Sequence, residues 1–263
     1  MDEYLQFHYA PADQLLPYTD APKVCTHKHT LPHTHPRTQS ACDFASRCAL
    51  LCERHCMALQ DFTGELGAPT ALDVGCAVGG ATFELARVFP LVVGLDYSQH
   101  FVDAACAMQA AGRMPYTAVV EGDVTETCEA VVDDAIDRSR VRFVRGDACN
   151  LPKQMRPVDC VLAANLLCRL PQPERFLADL PRLLKPGGIA VLVSPYSWLA
   201  AWTPRQRWLG GYYDGSKVCR CGVLSWETAW DTITRHRSLR LKRCVGSWRG
   251  RVSSSWRRRI CPF

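Results

Sequence analysis

The sequence contains no long apolar run, no internal repeat and no basic leader followed by an apolar stretch. Because no run of 18 apolar residues occurs, a membrane-spanning helix is excluded. The opening stretch, MDEYLQFHYAPADQ, is acidic and polar, which argues against a secretory signal and favours the cytoplasm. We therefore expect the 15 cysteines, an odd number, to be free thiols in a reducing compartment. Those expected to be buried lie in apolar helical or strand patterns: Cys48, Cys52, Cys76, Cys106 and Cys160.

Acidic residues are missing from the C-terminal part of the chain. From Thr232 to Phe263 there are ten Lys or Arg residues and no Asp or Glu, so residues 1–231 hold 21 basic against 26 acidic residues. One interpretation is a nucleic-acid-binding tail, with arginines on phosphates and tryptophans on bases. The interpretation we favour is a tail that does not fold, which would leave the last parallel strand with an unpaired edge.

Residues 26–43 lack any hydrophobic period and are rich in His, Thr and Pro, which predicts a disordered insertion. The segment holds four histidines, and Cys25 and Cys42 lie at its ends, but the spacings are not those of a structural zinc module. We predict no metal site. The chain divides into an aromatic N-terminal arm at 1–25, this insertion, a main domain at 44–216 and an atypical basic tail at 217–263.

Short apolar strands alternate with helices in the main domain. An amphipathic helix is predicted over 44–62, followed by helices over 80–89, 98–111 (after an N-cap at Ser98) and roughly 173–184. The strands between them are apolar on both faces, which is typical of a parallel sheet covered on both sides. The five predicted strands are TALDV, LVVGLD, VRFVRGD, VDCVLAAN and GIAVLVSP.

The turn after the first strand, LDVGCAVGG, lacks the second glycine of a dinucleotide-binding fingerprint. In that register the chain has Gly75, Ala77 and Gly80. The pattern of Asp73, Gly75 and Gly79 instead resembles motif I of the S-adenosylmethionine-dependent methyltransferases. That cofactor has no phosphate, and its ammonium group would suit the carboxylate of Asp73, directly or through water.

Three further features follow in the order of that class. Asp96 ends the second strand, 21 residues after Gly75, where a carboxylate can accept from both ribose hydroxyls. Asp147, in GDACNLP after the third strand, can accept from an adenine amino group, and LLKPGG at 183–188 precedes strand five. Together they predict an α/β, Rossmann-like class I methyltransferase fold with a doubly wound parallel sheet whose C-terminal strands are missing or atypical. The predicted residues of the S-adenosyl-L-methionine site are Asp73, Gly75, Cys76, Gly79, Asp96, Tyr97, Asp147, Ala148 and Asn165.

A narrower resemblance covers roughly residues 1–24 and 44–216. The motifs YLQFHY, DVGCAVGGATFELAR, VVGLDYS, RVRFVRGDACNLP, VLAANLLCRLPQPERFL and LLKPGGIAVLVSPYSWLAAWTPRQRWLGG resemble the 4-mercaptohistidine methyltransferase of ovothiol biosynthesis. The resemblance implies methyl transfer to an imidazole nitrogen of a thiol-bearing histidine, a small-molecule substrate. It also implies a sulfoxide synthase, here as a separate partner, since that domain often precedes this one in the family.

The acceptor side is predicted from loops above the carboxyl ends of the strands. Asn165 and Tyr196 follow strands four and five, and His8 in the aromatic arm is a candidate proton acceptor; the three are our predicted catalytic residues. Each has an alternative structural role, as a turn residue, a core aromatic or a packed histidine. Trp198 can wall the pocket or pack in the core, and Arg169 can face a substrate carboxylate or water.

Three other functions stay open at this point. One is a methyltransferase with another small acceptor, and another is a non-catalytic protein that still binds the cofactor. The third, a nucleic-acid methyltransferase, is disfavoured because AANLLCRL follows strand four in place of an aromatic-flanked Asn-Pro-Pro or Asp-Pro-Pro motif. We expect neither a nucleic-acid nor a membrane partner.

Overall fold

A six-stranded parallel sheet forms the centre of the computed structural model, which describes residues 1–10, 43–56, 58, 67–215, 217–219 and 240–243. In chain order the strands are β1 (Thr70–Val74), β2 (Leu91–Asp96), β3 (Arg113–Glu121), β4 (Val124–Val131), β5 (Val141–Arg145), β6 (Val158–Ala164), β7 (Leu184–Val193), β8 (Tyr212–Asp214), β9 (Lys217–Cys219) and β10 (Arg240–Arg243). The helices are α1 (Asp2–Tyr9), α2 (Phe44–His55), α3 (Gly80–Leu85), α4 (Gln99–Ala111) and α5 (Pro173–Leu183).

The strand order across the sheet is β10-β7-β6-β1-β2-β5, and each neighbouring pair is parallel. The five predicted parallel strands are therefore confirmed. From β1 the chain first proceeds outward through β2 to β5 and then returns to β6 on the other side. Ligands of such sheets bind at this reversal, outside the carboxyl ends of the strands.

Helices cover both faces of the sheet. Buried side chains of α1 to α4 form one core cluster with the sheet, and α5 and the segment after β7 contribute to a second. In α5 the buried residues Phe176, Leu177, Leu180 and Leu183 recur at helical spacing, so one apolar stripe is directed to the sheet.

Local signals place the ends of α4. The hydroxyl of Ser98 accepts from the backbone N–H of Phe101 at 3.4 Å, and Gly112, with a φ of 77°, closes the C-terminus by donating to the Met108 carbonyl. This helix is confirmed as predicted, and α5 ends within one residue of its prediction. The helix predicted over 80–89 ends instead at Leu85, because tighter bonds such as Val88 N–H to the Leu85 carbonyl follow.

An antiparallel hairpin of β3 and β4 occupies the long connection for which we predicted no element. Only one of its faces is buried, through Tyr116, Ala118, Cys128 and Ala130, whereas Val119 and Val124 are exposed. The alternation of apolar and polar residues is therefore weak in the sequence. Which face of the hairpin is buried depends on its packing against the rest of the domain, so the sequence pattern did not predict these strands.

We expected β7, the last predicted parallel strand, to have an unpaired edge, and this expectation is wrong. Residues Arg240–Arg243 of the basic tail form β10 along that edge, parallel to β7, with Arg240 opposite Ile189 and Arg243 opposite Leu192. Main-chain hydrogen bonds make this pairing, so it needs no apolar pattern in the tail. β10 lies beyond the predicted domain boundary at residue 216. The 26–43 insertion lies outside the described residues except for Asp43, as does most of the rest of the tail.

Four of the five cysteines that were predicted to be buried are confirmed as buried, namely Cys48, Cys52, Cys76 and Cys160. Cys106 is exposed. The buried face of α4 is formed by Val102, Ala105 and Met108, and Cys106 faces away from it. Within the described parts of the chain, no helix is both long enough and apolar enough to traverse a bilayer.

Candidate functional site

The glycine turn after β1 is built from residues in left-handed conformations. The φ angles of Gly75, Ala77 and Gly79 are 79°, 46° and 87°. The backbone N–H groups of Gly75 and Cys76 both donate to the Leu95 carbonyl, at 2.7 and 3.1 Å. The turn is therefore held against the carboxyl end of β2.

Two of the glycines in this turn have no room for a side chain. A Cβ at Gly75 would lie 2.8 Å from Cδ1 of Leu166, and one at Gly79 would lie 2.6 Å from Cζ of Phe143. Both positions also require positive φ, which glycine adopts without strain. Sequence reasoning missed Leu166 and Phe143, because nothing in their local sequence connects them with the turn.

Asp96 connects the turn to the next helix. One carboxylate oxygen accepts from the backbone N–H of Ala77 at 2.9 Å, and the other accepts from that of Ser98 at 2.9 Å. The side chain is half-buried. Each oxygen has a second lone pair, so the carboxylate can accept further hydrogen bonds from a ligand.

Asp73 lies beneath the turn and is 2% exposed. The hydroxyl of Thr82 donates to its carboxylate at 2.7 Å. Burial raises the pKa of Asp73 to about 7, the Thr82 hydrogen bond opposes this shift, and the charge of Asp96 adds to it. Sequence reasoning missed Thr82; the available signal was a single polar residue in the otherwise apolar start of α3.

Replacing Asp73 by asparagine is expected to stabilise the protein above neutral pH. The folded chain holds the pKa of Asp73 near 7, against 3.8 for an ordinary aspartate, so the folded state binds more protons between about pH 4 and 7. The stability of the wild type therefore falls as the pH rises through this range. Urea unfolding should show Asp73→Asn more stable at pH 8 by roughly 1–4 kcal/mol, with the difference shrinking toward pH 4.

The control for that experiment is Asp103→Asn, which changes an exposed carboxylate on α4. It should leave the free energy of unfolding nearly unchanged at both pH values. A wild type more stable than Asp73→Asn at pH 8 would contradict the buried-acid interpretation.

Three further predicted cofactor residues, Tyr97, Asp147 and Ala148, follow β2 and β5. Tyr97 is 70% exposed, and the guanidinium carbon of Arg145 lies 5.9 Å from its ring centroid. Asp147 accepts from the backbone N–H of Cys149 at 2.8 Å, whereas Ala148 is buried in the core. The exposed ring of Tyr97 and the turn at Asp147 thus lie after neighbouring strands, at the same edge of the sheet as Asp96.

Asn165 and Tyr196 are both backbone-strained. Their φ angles are 56° and 53°, and with Ala77 they are the three non-glycine residues of positive φ in the described part of the chain. The three follow the carboxyl ends of β1, β6 and β7, which are adjacent strands. The backbone N–H of Asn165 donates to the Val193 carbonyl at 2.7 Å, joining the ends of β6 and β7. Strained residues of this kind concentrate at functional sites.

The segment after β7 packs as core rather than as an open wall. Trp198 is 7% exposed and stacks on Trp208, with ring centroids 6.3 Å apart. Arg169 donates to the Ser197 carbonyl at 2.8 Å, which joins the turn after β6 to this segment. Arg169 therefore has a structural partner, and its half-buried guanidinium still has donors for a ligand.

Two predicted residues are withdrawn from solvent: His8 is half-buried with a buried Nδ1, and Cys76 is fully buried. Burial lowers the pKa of His8 to about 4, so the imidazole is neutral at pH 7 and a weak base. Burial also raises the pKa of the Cys76 thiol, whose Sγ donates to the Ala77 carbonyl. Neither group has the properties of an active nucleophile or a strong proton acceptor. Among the residues described, no group of three or more His, Cys, Asp or Glu side chains is placed to hold a metal ion.

A family model for the methyltransferase domain matches residues 72–192. This segment begins in β1 and ends in β7, and it contains the glycine turn, Asp96, Asp147 and Asn165. Residues 72–192 are thus similar to a methyltransferase domain. The predicted Rossmann-like class I fold is thereby confirmed, and the cofactor of this domain is S-adenosyl-L-methionine.

Curated relatives of the methyltransferase domain match parts of the chain. An uncharacterized methyltransferase of Mycobacteroides abscessus is 31% identical over 85 residues, 32% of this chain and 32% of the relative. The sterol 24-C-methyltransferase ERG6B of Gibberella zeae is 30% identical over 129 residues, 49% of this chain and 27% of the relative. The matched part spans between 27% and 48% of the length of four such relatives.

Solved structures also match the domain. The crystal structure of the N-terminal domain of EvdMO1 with SAH bound is 20% identical, with a TM-score of 0.38, covering 53% of this chain and 46% of that one.

Proposed function

We propose that this chain is an S-adenosylmethionine-dependent methyltransferase whose acceptor is an imidazole nitrogen of 4-mercaptohistidine. The observation that carries the methyltransferase proposal is the arrangement after β1, β2 and β6, where a strained glycine turn, the Asp96 carboxylate and the strained Asn165 lie at one edge of the sheet. The acceptor is proposed from the resemblance of the motifs at 1–24 and 44–216 to the ovothiol family.

The acidic side chains at this edge suit the cofactor. Asp96 ends β2 and Asp147 follows β5, and both are half-buried, whereas Asp73 is buried beneath the turn. The carboxylates of Asp96 and Asp147 would disfavour a pyrophosphate, whereas S-adenosylmethionine offers an ammonium, a sulfonium and hydroxyl or amino donors. When bound, this cofactor supplies an electrophilic methyl group on a positively charged sulfur.

The chain's own residues hold and orient the reactants. Asp96, already fixed by the N–H groups of Ala77 and Ser98, would accept from the ribose hydroxyls. Asp147 and the exposed ring of Tyr97 would receive the adenine. Gly75 and Gly79 keep the backbone of the turn close to the ligand, because neither carries a side chain.

Asn165 and Tyr196 would position the acceptor ring. Their strained backbones direct them from the ends of adjacent strands, and an amide and a phenol can each donate to or accept from an imidazole. Alignment for an in-line transfer can lower a barrier by roughly 7–11 kcal/mol in favourable cases. A neutral imidazole nitrogen already has a lone pair, so the site requires no strong base, and the ring proton can pass to water afterwards.

Arg169 is proposed as the partner of a substrate carboxylate. It lies four residues after Asn165 and is anchored by the Ser197 carbonyl, which limits its motion. A separate sulfoxide synthase is proposed as the enzyme that supplies the thiol-bearing histidine.

Calorimetry and a methylation assay test the proposal together. The purified protein should bind S-adenosylmethionine with micromolar affinity and methylate 4-mercaptohistidine in preference to a panel of other imidazoles and thiols. Methylation of a different panel member would overturn the proposed acceptor and support the methyltransferase activity. Binding without any transfer would favour a non-catalytic cofactor-binding protein, and an absence of binding by folded protein would overturn the proposal.

Asn165→Gly is expected to separate catalysis from stability. Glycine relieves the left-handed strain, which costs an ordinary residue about 1–2 kcal/mol, so the variant should be as stable as the wild type or more so. Its kcat should fall about 10–100-fold, because the side chain that positions the acceptor is lost. Thermal unfolding and steady-state kinetics measure the two effects.

Asn165→Ala is the matched variant, since it removes the same side-chain groups and keeps the strain. It should show the same loss of kcat together with reduced stability. Full activity in Asn165→Gly would show that Asn165 is only a turn residue.

A further inference from the structure

The C-terminal end of α1 lies directly on the glycine turn. The hydroxyl of Tyr9 donates to the Val78 carbonyl at 2.8 Å, across 69 residues of sequence. Burial raises the pKa of Tyr9 well above its usual value, so the phenol remains a donor at every physiological pH. A single side chain thus attaches the N-terminal helix to the main chain of the turn.

His8 fits against Gly80, the first residue of α3. A Cβ at Gly80 would lie 2.7 Å from Nδ1 of His8, 3.0 Å from its Cβ and 3.2 Å from its Cγ. His8 Nδ1 is buried and has no hydrogen-bond partner in the described residues. The contact therefore depends on shape, with the imidazole filling the space that any side chain at position 80 would need.

The remainder of α1 is attached to three other elements. Leu5 is 1% exposed, and the Tyr4 ring lies 4.5 Å from that of Phe101 on α4. The Phe7 ring lies 5.6 Å from that of Phe44 on α2, and the Asp2 carboxylate accepts from the backbone N–H of Thr117 on β3. These contacts fix the position and orientation of α1, so Tyr9 and His8 meet the turn in a defined geometry.

We propose that α1 is a lid whose seating on the glycine turn is coupled to cofactor binding, with Tyr9 as a positioning residue of that turn. Val78 lies between Ala77, which donates to Asp96, and Gly79. A bond to its carbonyl therefore restrains the strained part of the turn that the cofactor must approach. The proposal rests on the proposed function, since it takes S-adenosylmethionine as the ligand. It replaces proton acceptance by His8 with a packing role.

Coupling of this kind is reciprocal. Loosening α1 weakens cofactor binding, and the bound cofactor must in turn hold α1 in place. If the contact only stabilised the fold, its loss would lower the stability of the free and the bound protein equally. The dissociation constant of the cofactor would then not change.

Tyr9→Phe tests the positioning role, because it removes one hydroxyl and keeps the buried ring. Calorimetry should show the Kd for S-adenosylmethionine raised about 3–10-fold, as expected for one lost hydrogen bond. In kinetics the KM for the cofactor should rise and kcat should change little. Tyr213→Phe, at a 68% exposed position, is the control and should leave both values unchanged. An unchanged Kd in Tyr9→Phe would overturn the positioning role.

Gly80→Ala tests the seating of the lid. The backbone of Gly80 does not have positive φ, so the new methyl group acts mainly through its clash with His8. The Kd should rise at least about fivefold. The double variant Gly80→Ala with His8→Ala should recover most of the lost affinity. Gly67→Ala, where a Cβ meets nothing within 4 Å, is the neutral control.

Hydrogen exchange of residues 2–9 provides the reciprocal measurement. Saturating S-adenosylmethionine should slow exchange of α1 in the wild type, and less so in Gly80→Ala. Equal exchange with and without cofactor in a wild type that binds it would overturn the lid and leave the proposed function intact. A folded wild type that binds no S-adenosylmethionine would overturn both.

Discussion

Asp96→Ala is expected to weaken S-adenosylmethionine binding by at least about 100-fold. Hydrogen bonds to a charged group are worth about 1.5–3 kcal/mol each, and a carboxylate that accepts from both ribose hydroxyls would make two of them. The substitution also removes the carboxylate that accepts from the backbone N–H of Ala77, a non-glycine residue held at a φ of 46°. Both the ligand contact and the turn would be impaired. Isothermal calorimetry on the purified variant measures the loss.

Two variants make that result interpretable. Asp103→Ala removes an exposed carboxylate from the helix that begins at Gln99, and the Kd should stay at the wild-type value. Asp96→Asn keeps one acceptor oxygen but places an NH₂ group against one of the two backbone N–H donors. Its Kd should therefore lie between the values of the wild type and of Asp96→Ala. Micromolar binding by a folded Asp96→Ala would rule out a role for this carboxylate in holding the cofactor.

Gly79→Ala is expected to lower the free energy of unfolding by about 2–5 kcal/mol and to remove cofactor binding. The left-handed backbone costs about 1–2 kcal/mol for alanine, and overpacking against a core ring typically costs 1–3 kcal/mol. Here the new Cβ would lie 2.6 Å from Cζ of Phe143 and 3.2 Å from Cε2 of Phe83. Both rings are buried in the core and neither can move away easily. Urea unfolding should show a lower midpoint at an unchanged m-value.

Gly187→Ala separates the two causes. Gly187 has a φ of 81°, close to that of Gly79, but a Cβ there meets nothing within 4 Å. This control should carry the backbone strain alone and keep normal cofactor binding. If Gly79→Ala were no less stable than Gly187→Ala, the predicted clash with Phe143 would contribute nothing to the loss of stability.

The parts of the site that the sequence predicted are those defined by local pattern. A turn needs glycine where φ is positive, and a carboxylate that ends a strand is visible from its position, so Gly75, Gly79 and Asp96 could be named in advance. The alternation of strands and helices likewise predicts the parallel sheet and the edge at which its ligand binds.

What the sequence did not reveal depends on contacts between distant segments. Thr82 and Asp73 come together only when α3 packs on β1, and Leu166 meets Gly75 only because β6 lies beside β1. The hairpin of β3 and β4 has one weakly apolar face, and β10 pairs through its main chain. None of these interactions has a signature within a short window of sequence.

The contacts of α1 with later parts of the chain determine when this helix can dock during protein synthesis. The helix is made before its partners, since Val78 and Thr117 follow its own contact residues by 69 and 115 residues. At roughly 5–20 residues per second, the newly made segment waits about 6–23 seconds for the last of these. An eight-residue helix is marginal in water on its own, and the rings of Tyr4 and Phe7 gain their partners only when Phe101 and Phe44 have been made. Docking of α1 is therefore a late step in the folding of this domain during synthesis.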